Sequence, residues 1–203
     1  MNINTIVFDL GGVLIDWNPR YVFKHIFKEE TEMEYFLTEV CKPLWNHQMD
    51  EGKPFAEAVE ELTNEFPQYA LQIKAYHERW DEMLNGTIDG TVEILYKLTR
   101  SANFKMLALT NWSAETIPVA YRRYPLFSCF EGIVVSGDVK MAKPEPEIFE
   151  HLITQFKVTP SKAIFIDDSL PNIKTAESLA FQAIHFQSPE QLATDLHNRG
   201  IIV

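Results

Sequence analysis

The residue of this chain that most clearly points to chemistry is Asp9, which follows a run of apolar residues and precedes Gly11 and Gly12. A buried strand that ends here would deliver a carboxylate to the edge of a sheet. The two glycines would let the backbone close around whatever the carboxylate attacks. This arrangement would present an aspartate as a nucleophile.

Polar or charged residues also end three later segments: Thr110 with Asn111, Lys143, and Asp167 with Asp168. Ligands of a parallel α/β sheet bind beyond the carboxyl ends of its strands, so we expect these side chains to converge with Asp9. Three carboxylates gathered without compensation would repel one another, and at least one would become protonated. A divalent cation together with Lys143 is the natural neutralising arrangement. Mg²⁺ suits an all-oxygen site that keeps several waters.

The elements that would position these residues alternate along the chain. Short runs rich in β-branched and aromatic residues predict strands at 5–8, 105–109, 132–135, 163–166 and 181–186. Amphipathic helical segments separate the later runs. This order predicts an α/β fold, with a three-layer Rossmann-like core in which helices cover both faces of a parallel sheet.

The long interval before the second of these strands reads mostly as helix. Tyr76, Trp80 and Leu84 recur at helical spacing, and Gly86 is expected to help stop the last helix. We therefore predict an inserted helical cap domain. The predicted boundaries are 16–88 for the cap and 1–15 with 89–203 for the core.

Composition limits the possible partners. The net charge of -11 disfavours nucleic acid, because phosphate contacts need clustered Lys and Arg that are absent here. No apolar run approaches membrane-spanning length, and the first residues lack the pattern of a signal peptide. Cys41 and Cys129 lie far apart and outside any metal-binding spacing, as expected of buried thiols in a reducing compartment. We therefore expect a cytoplasmic protein without membrane or nucleic-acid partners.

The four polar segments, read with their neighbours, resemble the ordered motifs of the haloacid dehalogenase-like (HAD) hydrolase superfamily. The resemblance rests on FDLGGV at 8–13, LTN at 109–111, KPEPEIF at 143–149 and FIDDS at 165–169. Together with the predicted cap it covers nearly the whole chain, and it implies a phosphatase-type member with a cap inserted after the first motif.

The resemblance implies a role for each matching position. Asp9 would attack phosphorus and form an aspartyl-phosphate that water then hydrolyses. Thr110 and Asn111 would contact the phosphoryl group, and Lys143 would stabilise charge on that group and on Asp9. The implied protein groups around Mg²⁺ are Asp9, Asp168, Asp167 as ligand or support, and the backbone carbonyl of Gly11. The expected substrate is a small phosphorylated molecule, with a sugar phosphate suggested by analogy alone.

One position departs from the superfamily pattern. Its phosphatases usually carry a second Asp two residues after the nucleophile to protonate the leaving oxygen, whereas this chain has Gly11. Loss of such help typically costs about 10²–10⁴ in rate, so another acid must act or the leaving group must be good. We expect Asp16 to supply the proton, because it lies a few residues further on. The alternatives in the predicted cap are His47, Asp50 and Glu51.

Two other functions stay open. In a 2-haloacid dehalogenase the same aspartate attacks carbon, the second acid is not required, and Arg20 would bind the substrate carboxylate. Asp167 and Asp168 argue against this reaction, because it uses no Mg²⁺ to offset their repulsion. The third function is that of a catalytically weak phosphate-binding or regulatory protein with the same fold. Neither the substrate nor the oligomeric state follows from the sequence.

Overall fold

The computed structural model describes residues 3–203 and has the expected α/β architecture. Its strands are β1 (Thr5–Phe8), β2 (Ile15–Trp17), β3 (Leu84–Thr87), β4 (Lys105–Thr110), β5 (Gly132–Val135), β6 (Ala163–Asp167) and β7 (Gln182–His185). Five of them form a parallel sheet in the order β5-β4-β1-β6-β7, and β2 pairs with β3 in an antiparallel ribbon. The five strands predicted for the sheet are confirmed, with ends that differ by no more than one residue.

The helices surround this sheet and fill the interval between β2 and β3. The α-helices are α1 (Arg20–Phe23), α2 (Glu30–Tyr35), α3 (Pro43–Asp50), α4 (Phe55–Glu65), α5 (Ala70–Glu78), α6 (Asp89–Ser101), α7 (Ile117–Arg123), α8 (Ser136–Val139), α9 (Pro146–Phe156), α10 (Leu170–Ser178) and α11 (Pro189–Asn198). A π-helix covers Phe36–Val40, and short 3₁₀ turns cover Pro67–Tyr69, Trp80–Met83, Pro125–Cys129 and Pro160–Lys162.

Alternate residues of the strands pack against opposite helical layers. Val7, on β1, belongs to a buried cluster with Phe149 of α9 and Ile173 of α10. Its neighbour Ile6 belongs to a second cluster on the other face, together with Leu95 of α6. Successive side chains of a strand point to opposite faces, so the central strand is apolar throughout. The three-layer arrangement predicted from the sequence is confirmed.

The register of the central strand determines which residues meet at its carboxyl end. β1 lies between β4 and β6, and Phe8 pairs with Ala108 on one side and Ile166 on the other. The residues that follow these positions therefore emerge at the same edge of the sheet. This edge carries Asp9 and the ends of β4 and β6.

The helical segment between β2 and β3 is packed around aromatic side chains. The ring centroid of Phe23 lies 4.9 Å from that of Phe36 and 5.8 Å from that of Tyr76. Trp45 makes an edge contact with Tyr76, with ring centroids 5.1 Å apart. These residues join the same buried cluster as one face of the sheet. The boundaries predicted for a separate cap domain stay a prediction.

The end of this segment differs from the expectation. Helix α5 stops at Glu78, and a 3₁₀ turn leads directly into β3. Gly86 is a strand residue paired with Asp16 and has a φ of 141°, so it does not stop a helix. Trp80 and Leu84 do not belong to one continuous helix, because Trp80 lies in the 3₁₀ turn and Leu84 begins β3. Both are apolar because both are buried, at 6% and 2% exposure.

Both cysteines are free thiols, with Cys41 buried and Cys129 partly buried. Over residues 3–203, every helix is too short or too polar to cross a bilayer. The cytoplasmic location stays a prediction.

Candidate active site

Asp9 lies immediately beyond β1 and is almost fully buried. Its backbone N–H donates to the carbonyl oxygen of Ile166 at 2.8 Å, which fixes it between β1 and β6. The side-chain oxygen Oδ1 accepts a hydrogen bond from Leu10 N at 2.7 Å and lies 3.0 Å from Lys143 Nζ. In the described part of the chain, Asp9 Oδ2 accepts no hydrogen bond. One oxygen is therefore held in place, and the other is free to react or to coordinate a cation.

Lys143 supplies the positive charge of the site. Its Nζ lies 3.0 Å from Asp9 Oδ1 and 2.6 Å from Asp167 Oδ2, and it donates to Leu109 O at 3.0 Å. These three contacts use all three N–H groups of the ammonium. The side chain is 1% exposed, and such burial of a charge is costly unless partners surround it. Lys143 thus bridges two carboxylates, in the neutralising position expected from the sequence.

Thr110 and Asn111 lie beside Lys143 at the end of β4. Asn111 Nδ2 donates to Lys143 O, and Asn111 Oδ1 accepts from Lys143 N, each at 2.8 Å. This pair of bonds fixes the backbone of Lys143 and thereby directs its side chain. Thr110 is the last residue of β4 and is buried. The contacts predicted for both residues with a phosphoryl group stay predictions.

Asp167 is completely buried, and both of its oxygens are engaged by the protein. Oδ1 accepts hydrogen bonds from Ser169 N at 2.8 Å and Asn172 Nδ2 at 3.0 Å, while Oδ2 accepts from Lys143. This carboxylate is therefore better suited to hold Lys143 than to bind a metal directly. The sequence reading missed Asn172. Asn172 lies in the first turn of α10, the helix that follows Asp167, and that turn faces back toward the end of β6. This position was the signal by which Asn172 could have been identified.

Asp168, which is exposed, forms a cluster of three carboxylates with Asp9 and Asp167. Oxygen atoms of Asp9, Asp167 and Asp168 all lie within 4.8 Å of one another. Gly12 has a φ of 73°, and a Cβ built on it would lie 2.4 Å from Asp168 Oδ2. The carboxylate thus occupies space that exists only because residue 12 has no side chain. The convergence of the three acids predicted from the sequence is found here.

The charges of this group perturb one another. Burial raises the pKa of Asp9 to about 7, and the negative charges of Asp167 and Asp168 add to the rise that Lys143 opposes. Burial, followed by the charge of Asp167, also raises the pKa of Asp168. Burial alone would lower the pKa of Lys143, yet its two carboxylate neighbours raise it. The ammonium of Lys143 balances only part of the charge of the three carboxylates. A divalent cation would balance the excess negative charge.

Asp16 and Arg20, both predicted to act in the site, are engaged with other residues. Asp16 Oδ2 accepts hydrogen bonds from Tyr21 Oη at 2.6 Å and Asn85 Nδ2 at 3.0 Å. Arg20 Nε and Nη2 lie 2.6 and 2.5 Å from the two carboxylate oxygens of Glu34. Arg20 borders the cleft at the sheet edge, but its guanidinium is already paired. The structure therefore ties both groups to local partners.

A cleft of about 820 Å³ lies between the sheet edge and the helical segment. Lys143 and Asn111 border it from the sheet side, and His47 and Asp50 border it from α3. A smaller cavity of about 90 Å³ shares part of this lining and reaches Gly11. The space is large enough for the leaving group of a small ester.

Asp50 is the carboxylate of α3 that faces this space. Asn46 Nδ2 donates to Asp50 Oδ2 at 3.1 Å. Burial raises the pKa of Asp50 to about 7; the Ser113 backbone amide and Lys143 oppose the rise, and Glu51 adds to it. His47 Nε2, by contrast, lies 3.7 Å from the carboxylate of the exposed Glu51.

Comparison with known proteins gives a consistent result. A family model described as haloacid dehalogenase-like hydrolase matches residues 3–179. The chain is 24% identical over 197 residues to sesquiterpene phosphatase astK of Aspergillus oryzae, covering 97% of this chain and 95% of the relative. It is 25% identical over 191 residues to D-ribitol-5-phosphate phosphatase of Bacteroides thetaiotaomicron, covering 89% and 90%.

A solved structure provides a similar fold with ligands. The HAD family enzyme bt-2542 of Bacteroides thetaiotaomicron was crystallised with magnesium and inorganic phosphate. The similarity has a TM-score of 0.68 at 27% identity, and it covers 92% of this chain and 96% of that chain.

Proposed function

The chain belongs to the haloacid dehalogenase-like hydrolase family, and from this we propose that it is a Mg²⁺-dependent phosphatase of a small phosphate monoester. The observation that carries the proposal is the buried Asp9 carboxylate 3.0 Å from Lys143 Nζ, with Asp168 beside it. Phosphoryl transfer depends mainly on positioning and on electrostatic stabilisation, and this group can provide both. The phosphatase names of two relatives support the same class of reaction.

The proposed reaction has two steps through a covalent intermediate. Asp9 Oδ2 attacks phosphorus, the bond between phosphorus and the ester oxygen breaks, and the departing alcohol takes up a proton. Water then attacks the phosphorus of the aspartyl-phosphate, which releases inorganic phosphate and restores the carboxylate. Lys143 stabilises charge on the phosphoryl oxygens in both steps, and Thr110 contacts the same oxygens.

The donor set fits Mg²⁺. Asp9, Asp168 and the backbone carbonyl of Gly11 would hold the ion, whose charge would offset that of the phosphoryl group. Asp167 would support the site through Lys143, because its oxygens are occupied by hydrogen bonds. The raised pKa values of Asp9 and Asp168 agree with a site that needs a further positive charge.

The cleft supports selection of the substrate by the helical segment. Trp17, Leu37 and Leu44 line it together with Lys143. The leaving group would contact these side chains, so its shape and polarity would decide which ester is accepted. A sugar phosphate stays one candidate, and an ester with a more apolar alcohol suits the same lining.

The dehalogenase alternative has less support. Its carboxylate clamp would be Arg20, but Glu34 already pairs with that guanidinium. Asp168 would also add repulsion to a reaction without a metal. The third function, a weak phosphate-binding protein, differs from an enzyme by the absence of repeated turnover.

One experiment distinguishes the three functions. Phosphate release is measured on sugar phosphates, polyol phosphates, terpenyl monophosphates and p-nitrophenyl phosphate, and halide release on 2-haloacids, each with Mg²⁺ and with chelator. The phosphatase predicts multiple turnovers that chelator and Asp9→Asn abolish, while the exposed Asp81→Asn keeps them. Chelator-resistant halide release would establish the dehalogenase instead, and labelling of Asp9 without turnover would establish the binding protein.

A further inference from the structure

The proposed reaction needs a proton donor that the sheet edge does not supply. An alkoxide is a poor leaving group, so an aliphatic ester is cleaved efficiently only if its oxygen receives a proton as it departs. Asp9 is the nucleophile, and Asp167 is held by Lys143 and neighbouring amides. Gly11 has no side chain, and a Cβ built on it would meet no atom within 4 Å. Space is thus open beside the nucleophile, and no acid fills it from the sheet.

Asp50 faces this space from the opposite side. It is the last residue of α3 and borders the small cavity together with Gly11 and Asn111. It also borders the larger cleft that Lys143 reaches. Asn46 Nδ2 donates to Asp50 Oδ2 at 3.1 Å, which fixes the side chain on one side. A carboxylate is therefore held at the cavity that Gly11, two residues after the nucleophile, also lines.

The helical segment that contains α3 is anchored to the sheet side of the cleft. Glu115, which follows β4, accepts a hydrogen bond from Phe55 N at 2.9 Å through Oε1. Trp80 packs against Trp112 with ring centroids 5.5 Å apart. Both contacts join the helical segment to residues that follow β4, and Trp80 and Trp112 border the small cavity together with Asp50, so packing holds Asp50 near the sheet edge.

The other candidate donors are less well placed. Asp16 Oδ2 is bonded to Tyr21 and Asn85, and Asp16 does not line either cavity. His47 lines the larger cleft but not the small cavity that reaches Gly11, and it lies beside Glu51, whose side chain is 48% exposed.

We propose that Asp50 is the general acid and base of this hydrolase, an assignment that rests on the proposed phosphatase function. As the bond between phosphorus and the ester oxygen breaks, that oxygen takes the proton of Asp50. The resulting Asp50 carboxylate then takes a proton from the water that attacks the aspartyl-phosphate, which regenerates the acid. Burial raises the pKa of Asp50 to about 7, so both forms are populated near neutral pH.

The test compares two leaving groups. p-Nitrophenolate departs without a proton, whereas an aliphatic alcohol needs one, so turnover is measured on p-nitrophenyl phosphate and on the aliphatic phosphate that the wild type cleaves fastest. Asp50→Asn should lower kcat/KM, which reports formation of the aspartyl-phosphate, by about 10²–10⁴ on the aliphatic ester and by less than about tenfold on the aryl ester. Loss of the base should lower kcat on both esters, because hydrolysis of the aspartyl-phosphate is the same step for each. Asp50→Glu, which keeps a carboxyl group, should recover part of the aliphatic activity. Asp16→Asn should leave the ratio of the two activities unchanged.

The outcomes separate this assignment from the proposed function. Turnover of the aryl ester by Asp50→Asn also demonstrates a folded site. Equal losses of kcat/KM on both esters, no loss of kcat/KM on either, or a selective loss in Asp16→Asn would overturn the role of Asp50 while leaving the phosphatase intact. A wild type that cleaves only the aryl ester would overturn it as well. If the wild type releases no phosphate from any ester, the proposed function itself fails.

Discussion

Replacing Asp50 with asparagine should stabilise the protein above neutral pH, and the gain should fade in acid. Burial raises the pKa of Asp50 from 3.8 to about 7 in the folded protein. Between these values the folded protein keeps the proton that the unfolded chain has released. The free energy of unfolding of the wild type therefore falls as pH rises through this window. The asparagine side chain carries no titrating proton, so the variant escapes this loss.

The size of the effect follows from the pKa change. One pKa unit corresponds to about 1.4 kcal/mol, so the rise from 3.8 to about 7 corresponds to at most about 4 kcal/mol. Asp50 is only partly buried and its surroundings can relax, so we expect about 2–4 kcal/mol above neutral pH. The amide is close in shape to the carboxyl and can still accept from Asn46. In a protein of this length each kcal/mol moves Tm by about 2–4 °C, which gives about 4–16 °C.

The assay is thermal unfolding of both proteins in chelator, from about pH 5 to about pH 8. The quantity to compare is the Tm of the variant minus that of the wild type at each pH. Other groups with raised pKa values, Asp9 among them, are present in both proteins and largely cancel. Asp81→Asn, at an exposed position, should give a difference near zero throughout. A difference for Asp50→Asn that does not grow with pH would refute the assignment of a burial-raised pKa.

Two further variants test the carboxylate group. Lys143→Met leaves Asp9 and Asp167 buried without their cation, so urea unfolding in chelator near neutral pH should show a loss of about 3–5 kcal/mol. Lys143 lowers the pKa of Asp9, so without the ammonium Asp9 holds its proton more tightly and the loss should shrink in acid. A loss independent of pH contradicts the ion-pair argument. Gly12→Ala, at a φ of 73°, should cost about 1–2 kcal/mol and weaken Mg²⁺ binding in a calorimetric titration, because its Cβ displaces Asp168. The control is Gly200→Ala, at a φ of 78°, where a Cβ would meet no atom within 4 Å. It should show the same backbone cost and an unchanged Mg²⁺ affinity. Equal Mg²⁺ affinities of the two variants would contradict the clash between the Cβ of residue 12 and Asp168.

Much of the site could be predicted because strand ends are visible in the sequence. Asp9 and Asp167 each come at the end of an unbroken apolar run, and parallel strands bring such ends to one edge. Asn111 was also found this way, but its hydrogen bonds to Lys143 could not be. A bond between residues 32 positions apart depends on where two loops meet, and local pattern carries no information on that.

The helical segment shows the opposite case. Its helices were predicted from apolar spacing, but β3 was missed because Asn85 and Gly86 have little strand preference. Pairing with Asp16 makes that strand, so a partner far along the chain decided its structure. The choice of Asp16 as proton donor used nearness in sequence, whereas Asp50 reaches the cavity because α3 folds back over the sheet edge.

The sequence by itself determined the layered fold, the strand that presents Asp9 and the two acidic residues at the end of β6. These depend on periodicity and on the order of short segments, which local side-chain chemistry specifies. Only the tertiary structure decided that Lys143 bridges Asp9 and Asp167, that Asp168 joins them at one site and that Asp50 borders the cavity from α3. Those distinctions are distances and burial between segments far apart in the chain, and they exist only once the chain has packed.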